Sequence, residues 1–259
     1  MRLAAFVLFI TSAFAQTIAL PGPGMPAQSG RAIIVVQSPL YITSNAPVTS
    51  ISKTFSTLPT VGSVLAVGVT WQYIATTIAA TPCTDNQSPP NTYTLREQIN
   101  AGATGFGAAA ITAPVVTSSG TFTITCSATT GSYLTLMLHE VGGIPVPVVT
   151  DGTDGKNTFL SGAVSPTPCY SSTGIVTTHG NDLILSVLGS NSGGNLTITP
   201  GTSGGPYVLP SNSWFGNGGV SAIGAMEYLI AFSTGNKTPQ MTVSTGPYTA
   251  CATVILKGY

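Results

Sequence analysis

From Arg31 onward the chain is written in short apolar runs separated by clusters of Gly, Pro, Asn and Ser, the spacing of strands in a sandwich or barrel. The candidate strands are Ala32 to Val36, Val64 to Tyr73, Thr92 to Arg96, Ala108 to Val115, Thr121 to Ser127 and Tyr133 to Val141. They continue with Ile175 to Thr178, Asp182 to Leu188, Leu196 to Thr199, Ala225 to Phe232, Met241 to Ser244 and Ala250 to Lys257. In Val64 to Tyr73 the odd positions are Leu65, Val67, Val69, Trp71 and Tyr73, while Ala66, Gly68 and Thr70 lie between them. A two-residue period sends these sets to opposite faces, one large and one small, and places Trp71 in the core. Thr121 to Ser127 sets Thr against Phe122, Ile124 and Cys126, which predicts that the second set faces inward. Tyr133 to Val141 aligns Leu134, Leu136 and Leu138 and carries Glu140 onto the same face. Either a bulge turns Glu140 outward or it sits at the edge of the core.

Helical periodicity is weak throughout, and Thr, Val and Gly are too frequent for long helices. Leu95 to Ala101 is the best candidate for a short one. Residues 189 to 220 are rich in Gly, Ser, Asn and Pro and hold Tyr207, Trp214 and Phe215, so they read as the longest loop, the place where binding usually resides. No compositional break marks a second domain. The expectation is an all-β, antiparallel sandwich forming a single domain over 31–259.

The first fifteen residues put Arg2 before the apolar stretch Leu3 to Ile10 and end in Ala13-Phe14-Ala15, the grammar of a secretory signal peptide cleaved after Ala15. Residues 16–30 then read as an extended leader rich in Pro and Gly. No other stretch is long and apolar enough to suggest a transmembrane segment, so the expectation is a secreted, extracellular protein. Four cysteines, Cys83, Cys126, Cys169 and Cys251, are far apart in a chain of this kind, so two disulfides are expected. Three pairings are open; Cys83 with Cys126 and Cys169 with Cys251 is favoured because sequential pairs need least chain crossing. The close Cys and His spacing of a zinc site is missing.

Composition narrows the chemistry. Asp and Glu number 7 and Lys and Arg number 7 in 259 residues, 5% of the chain, with zero net charge. Single, scattered basic residues give no patch for phosphate, which argues against nucleic acid. Weak self-repulsion makes association with neutral surfaces, or with copies of the chain, physically easier.

Five segments together are similar to a jelly-roll, concanavalin A-like sandwich widespread in secreted bacterial proteins. They are Val61 to Trp71, Thr84-Asp85-Asn86 leading to Asn91-Thr92-Tyr93-Thr94-Leu95, Gly120 to Thr125, Ser172-Thr173-Gly174 through Asn181-Asp182-Leu183-Ile184-Leu185, and Ala252 to Lys257. The order is kept over roughly residues 50 to 257. The resemblance implies a jelly-roll fold and a non-catalytic or carbohydrate-linked extracellular module, and it carries over no catalytic residue.

Three binding chemistries follow from particular residues. Trp214 and Phe215 between Asn212 and Asn217, with Tyr207 and Tyr170 as neighbours, combine aromatic faces and neutral hydrogen-bonding groups suited to sugar rings; burial beneath the loop is the competing reading. Asp151, Asp154 and Asn157 in a Gly-rich turn offer oxygens for a structural calcium, although Lys156 opposes a cation and an ordinary Asp-Gly turn explains the same residues. Glu140 and Glu227 are the one carboxylate pair that could serve a glycoside hydrolase, provided they face each other at about 5 to 5.5 Å as in retaining enzymes. His139 and His179 lack the Gly-x-Ser-x-Gly elbow that would present a nucleophile. Asn-x-Ser/Thr sequons at Asn86, Asn195 and Asn236 are no more than this composition produces by chance.

The leading expectation is therefore a secreted, non-enzymatic module that binds a polysaccharide or another neutral surface. A self-associating surface or filament subunit, with residues 16–30 adding a strand to a neighbour, is the alternative, and a glycoside hydrolase the third.

Overall fold

The computed structural model describes residues 32–72, 77–100, 105–151, 156–161, 167–169, 174–191, 198–202, 205–210, 214–217, 220–243 and 248–259. Among these residues every regular element is a β-strand. The signal peptide and leader read from residues 1–30 lie outside them.

Seven strands from the first half form one sheet: β1 (Ile34–Thr43), β2 (Val48–Thr54), β3 (Val64–Gln72), β4 (Ile78–Asp85), β5 (Thr94–Asn100), β6 (Phe106–Pro114) and β7 (Thr123–Gly142). Its order is β1-β7-β3-β6-β5, with β2 and β4 also hydrogen-bonded to β7. The 20-residue β7 makes this possible because its two halves have different neighbours. Positions 123–132 pair with β2 and β4, and positions 133–142 pair with β1 and β3, all antiparallel.

The second half continues with β8 (Lys156–Ser161), β9 (Thr167–Pro168), β10 (Ile175–Thr177), β11 (Asp182–Asn191), β12 (Ile198–Thr199), β13 (Trp214–Asn217), β14 (Val220–Ala231), β15 (Gly235–Lys237), β16 (Gln240–Val243) and β17 (Tyr248–Leu256). A second antiparallel sheet runs β13-β14-β11-β17-β8; β12-β16-β9 and β10-β15 form two small ones.

The alternation in β3 explains how these parts stack. Leu65, Val67, Val69 and Trp71 join Leu134, Leu136 and Leu138 of β7 in a cluster closed from outside by Ile51, Phe55, Tyr93, Phe122, Ile124 and Cys126. Val64 and Ala66 point the other way, onto Leu183, Leu185 and Val187 of β11, Met226 of β14 and Ala252 and Val254 of β17. The small face is thus as buried as the large one, and it is where the two main sheets meet. A methyl group at Gly68 would lie 3.1 Å from Met137, Met226 and Val187, so this layer is already filled. On its far face the second sheet is covered too. Leu188, Ala225 and Cys251 pack under Ile198, Met241 and Val243, while Ile184, Leu229 and Ile255 pack under Ile175 and Tyr207.

Disulfides join Cys83 to Cys126 and Cys169 to Cys251. The first links registered positions of β4 and β7; the second ties Cys169, just after β9, to β17, an interior strand between β11 and β8.

Two readings of the sequence are corrected. Leu95 to Ala101 is no helix, since β5 runs through Asn100 against β6, where Leu95 packs beside the first cluster. Residues 189–220 are not one loop: β11 reaches Asn191, β12 follows, and Trp214–Asn217 is the edge strand β13 on β14.

Candidate functional site

The carboxylates nominated as a pair point apart. Met137 and Val141 of β7 face the second sheet, and His139 meets Tyr228 of β14 there, with ring centroids 6.0 Å apart. Glu140 follows His139 and Glu227 precedes Tyr228, so the two-residue period directs both away from that layer, in opposite directions. Glu140 keeps the face of Leu134, Leu136 and Leu138, at its edge and with no exposure. The register shift lies in β1 around Gln37, and Gln37 Nε2 donates to Glu140 Oε2 at 2.6 Å while the Thr60 amide donates to Oε1 at 2.7 Å. Glu227 is equally buried on the outer face of the second sheet, where the Gly201 amide donates to Oε2 at 3.0 Å and Oε1 has no partner. Burial pushes its carboxyl up to about 8. The two acids cannot act across one cleft, which is a correction to the hydrolase expectation.

Tyr207 is corrected as well. It is 5% exposed, beneath its own segment against Ile184, Leu229 and Ile255, and so offers no sugar-stacking face. Trp214, Phe215 and Asn217 lie in β13, and their side chains fall outside the described part, as do Asn212 and Tyr170 altogether. Among the described residues Phe232, in the turn that follows β14, is exposed at 80%, and Tyr259 at 51%. Trp71 is in the core at 1%.

Two surfaces carry chemistry. The first is the solvent face of β2, β7 and β4. Ile51, Ile124, Cys126 and Cys83 point inward, so the alternate positions point out, and they are hydroxyls: Ser50 beside Ser127, Ser52 beside Thr125 and Thr84, Thr54 beside Thr123. Ser52 and Thr125 share a hydrogen bond of 2.7 Å, Thr54 and Thr123 one of 2.8 Å. In each pair one hydroxyl donates to the other, leaving a hydrogen and spare lone pairs for an outside partner. Lys53 belongs to the other parity, opposite Ile124, so the face is uncharged.

The second is a polar cluster at the end of β17. Thr150 bridges Leu256, and the Asp151 amide donates to Ile255 at 3.1 Å, which docks Asp151 beside the last strand. Thr178 and His179 follow β10, and the chain turns through Asn181 at φ 67° into Asp182, the first residue of β11. Asn tolerates that left-handed backbone better than most residues. A side chain at Gly258 would collide with the Asn181 carbonyl, 1.6 Å away, so glycine is required for the chain to pass here. The Asp151 carboxylate accepts from the Thr178 amide and hydroxyl and from His179 Nδ1, the last at 3.1 Å. Burial works to raise the Asp151 pKa, but these donors outweigh it and hold the carboxyl down to about 2. Asp182 Oδ1 accepts from the Gly258 amide at 3.2 Å. Burial, with the Asp151 carboxyl alongside, pushes Asp182 up to about 6. Thr178, His179, Gly180, Lys257, Gly258 and Tyr259 line an adjoining cleft of about 400 Å³.

Only Asp151 of the expected calcium ligands enters this cluster. Asp154 lies outside the described residues, and Asn157 is described only as backbone in β8, paired with Ala252. Sequence reasoning weighs His179 only for nucleophilic catalysis and Asp182 only within the Asn181-Asp182-Leu183 motif, and joins neither to Asp151; the signal is the polar run Thr178-His179-Gly180-Asn181-Asp182 ahead of an apolar strand. His139 is a core residue, 1% exposed. Compared with known proteins, the chain matches no family model, no curated protein and no solved structure.

Proposed function

We propose that the protein is a secreted, non-enzymatic jelly-roll module that binds a neutral polysaccharide or similar extracellular surface through the hydroxyl face of β2, β7 and β4. The observation that carries this reading is the paired, uncharged array of Ser52, Thr54, Thr123 and Thr125 on a regular sheet. Hydroxyls there repeat at about 6.8 Å along a strand and about 4.8 Å between strands, a regular grid of weak donors and acceptors. Such a grid suits a polymer whose own hydroxyls repeat, and it holds no charge that would have to be desolvated on contact. Two disulfides and the signal-peptide grammar of residues 1–15 support an extracellular setting, and the diverging Glu140 and Glu227 support a non-enzymatic one.

The test is retention of the purified protein on insoluble and arrayed glycans. Thr125→Lys, which places a charge in the middle of the grid, should abolish retention with folding intact by circular dichroism, whereas Trp214→Ala on β13 should leave it unchanged. If no glycan retains the protein, or if Thr125→Lys binds like the parent, the reading fails. Loss of retention only in Trp214→Ala would return the site to β13.

A further inference from the structure

Asp151, His179 and Asp182 come from three places in the chain, yet they offer ligand atoms that all lie within 4.8 Å of one another. The bridge of Thr150 to Leu256 and the tight turn at Asn181 hold them there. Asp151 is 2% exposed and Asp182 is fully buried, so two carboxyl groups sit side by side away from bulk water.

Their hydrogen bonds are unequal. Asp151 is surrounded by donors from Thr178 and His179, and Asp182 Oδ1 has the Gly258 amide, but buried Asp182 Oδ2 has no donor. His179 pairs with Asp151, whereas Lys257, although it lines the cleft, pairs with neither acid. A buried carboxylate oxygen without a partner costs free energy unless a proton or a cation neutralises it. Of the three, His179 lines the adjoining cleft, whose volume has room for water ligands.

We propose that Asp151, His179 and Asp182 form a binding site for one divalent first-row cation, Zn²⁺ or Mn²⁺. The imidazole nitrogen and one oxygen from each carboxylate are the protein ligands, and water in the cleft completes the shell. Calcium is disfavoured because it takes about six to eight oxygens, whereas this set offers one from each of two carboxylates, and it has little use for imidazole. Bonds of about 2.0 to 2.2 Å are reached from atoms spaced this closely by small side-chain rotations. Asp182 Oδ2 then gains the partner it lacks. The site goes beyond the glycan-binding reading and does not rest on it, since it lies at the end of β17 and not on the face of β2, β7 and β4.

The full chain, stripped with chelator, is titrated calorimetrically with ZnCl₂, MnCl₂ and CaCl₂, and its thermal midpoint is followed in parallel. One equivalent of Zn²⁺ or Mn²⁺ should bind and raise the midpoint. His179→Gln and Asp182→Asn should each weaken binding by more than about tenfold. Exposed His179 can be replaced without disturbing the core, so that variant decides the matter even if Asp182→Asn folds poorly. Failure of both metals to bind at millimolar concentration, a response to calcium alone, or affinity that survives His179→Gln would overturn the site. So would an Asp182→Asn protein whose midpoint rises while the parent binds no metal, the signature of a proton shared between the two carboxyls.

Discussion

His139 of β7 and Tyr228 of β14 meet edge to face across the two main sheets, with centroids 6.0 Å apart and planes at 72°. Neither His139 nitrogen has a hydrogen-bond partner, and burial holds its pKa down to about 4 from 6.5. Because these two rings face each other, the two-residue period sends the neighbouring Glu140 and Glu227 away from the shared layer in opposite directions, Glu140 to the edge of the first core cluster and Glu227 to the outer face of the second sheet.

The His139 contact predicts acid sensitivity. Between pH 6.5 and 4 the unfolded chain holds a proton that the folded protein excludes. Stability is therefore complete above 6.5 and declines as the pH falls towards 4, by about 1.4 kcal/mol per unit. Denaturant midpoints for His139→Phe, compared with the parent across that window, should lose this slope.

Glu227 imposes the opposite slope. Its folded value near 8 exceeds its ordinary 4.5, so the folded protein holds a proton the unfolded chain has released. Its contribution is complete below 4.5 and is lost as pH rises through 8, again at about 1.4 kcal/mol per unit. Glu227→Gln, beside buried Tyr207, should be more stable than the parent at pH 8 and nearly equal to it at pH 4.5. A Gln variant that is weaker at pH 8 would contradict the buried neutral acid.

Tyr93 donates to Asp85 Oδ2 at 3.0 Å, and the same carboxylate accepts the Asn91 side chain at 2.8 Å and the Gln87 amide at 3.1 Å. Asn91 Oδ1 in turn accepts the Val116 and Thr117 amides. Residues Asp85 to Tyr93 thus clip this segment to the one at Val116 and Thr117. Tyr93→Phe should cost about 1.5 to 3 kcal/mol, the worth of a hydrogen bond to a charged group, as read by urea denaturation.

The disulfides close loops with sequence separations of 43 and 82. Chain-entropy scaling gives about 4 and about 4.5 kcal/mol for such loops. Paired Cys→Ser substitutions should lower stability by comparable amounts, each by more than Tyr93→Phe.

Gly68 is the sharpest packing test. Ala at this position meets three side chains at 3.1 Å, so Gly68→Ala should cost about 1 to 3 kcal/mol through overpacking. A stabilised variant, measured by thermal unfolding, would mean that the sheets are less tightly pressed.

Much of the architecture was legible because strand alternation is local. The large face of β3 and the inward set of Phe122, Ile124 and Cys126 follow from a two-residue period alone. The second buried face did not, because Ala66, Gly68 and Thr70 carry too little apolar signal to announce that another sheet covers them. Leu95 to Ala101 misled for a related reason: Arg96, Glu97 and Gln98 suit a helix, but β6 offered a ladder for their backbone. The polar cluster was legible least of all. Asp151 stood out through its Asp-Gly turn, yet what brings it to His179 and Asp182 is the bridge to Leu256, a contact between distant residues with no trace in local spacing.

The layering also bears on the chain before it folds. Both faces of β3 and of β11 are covered, so most residues that build them are neutral and buried cheaply, and hydroxyl pairs such as Thr253 with Ser186 at 3.0 Å stand where charges would be costly. An unfolded copy inherits that neutrality and has little electrostatic repulsion to keep it from its neighbours. Folding and disulfide closure therefore compete with aggregation, and refolding yield should fall steeply with protein concentration.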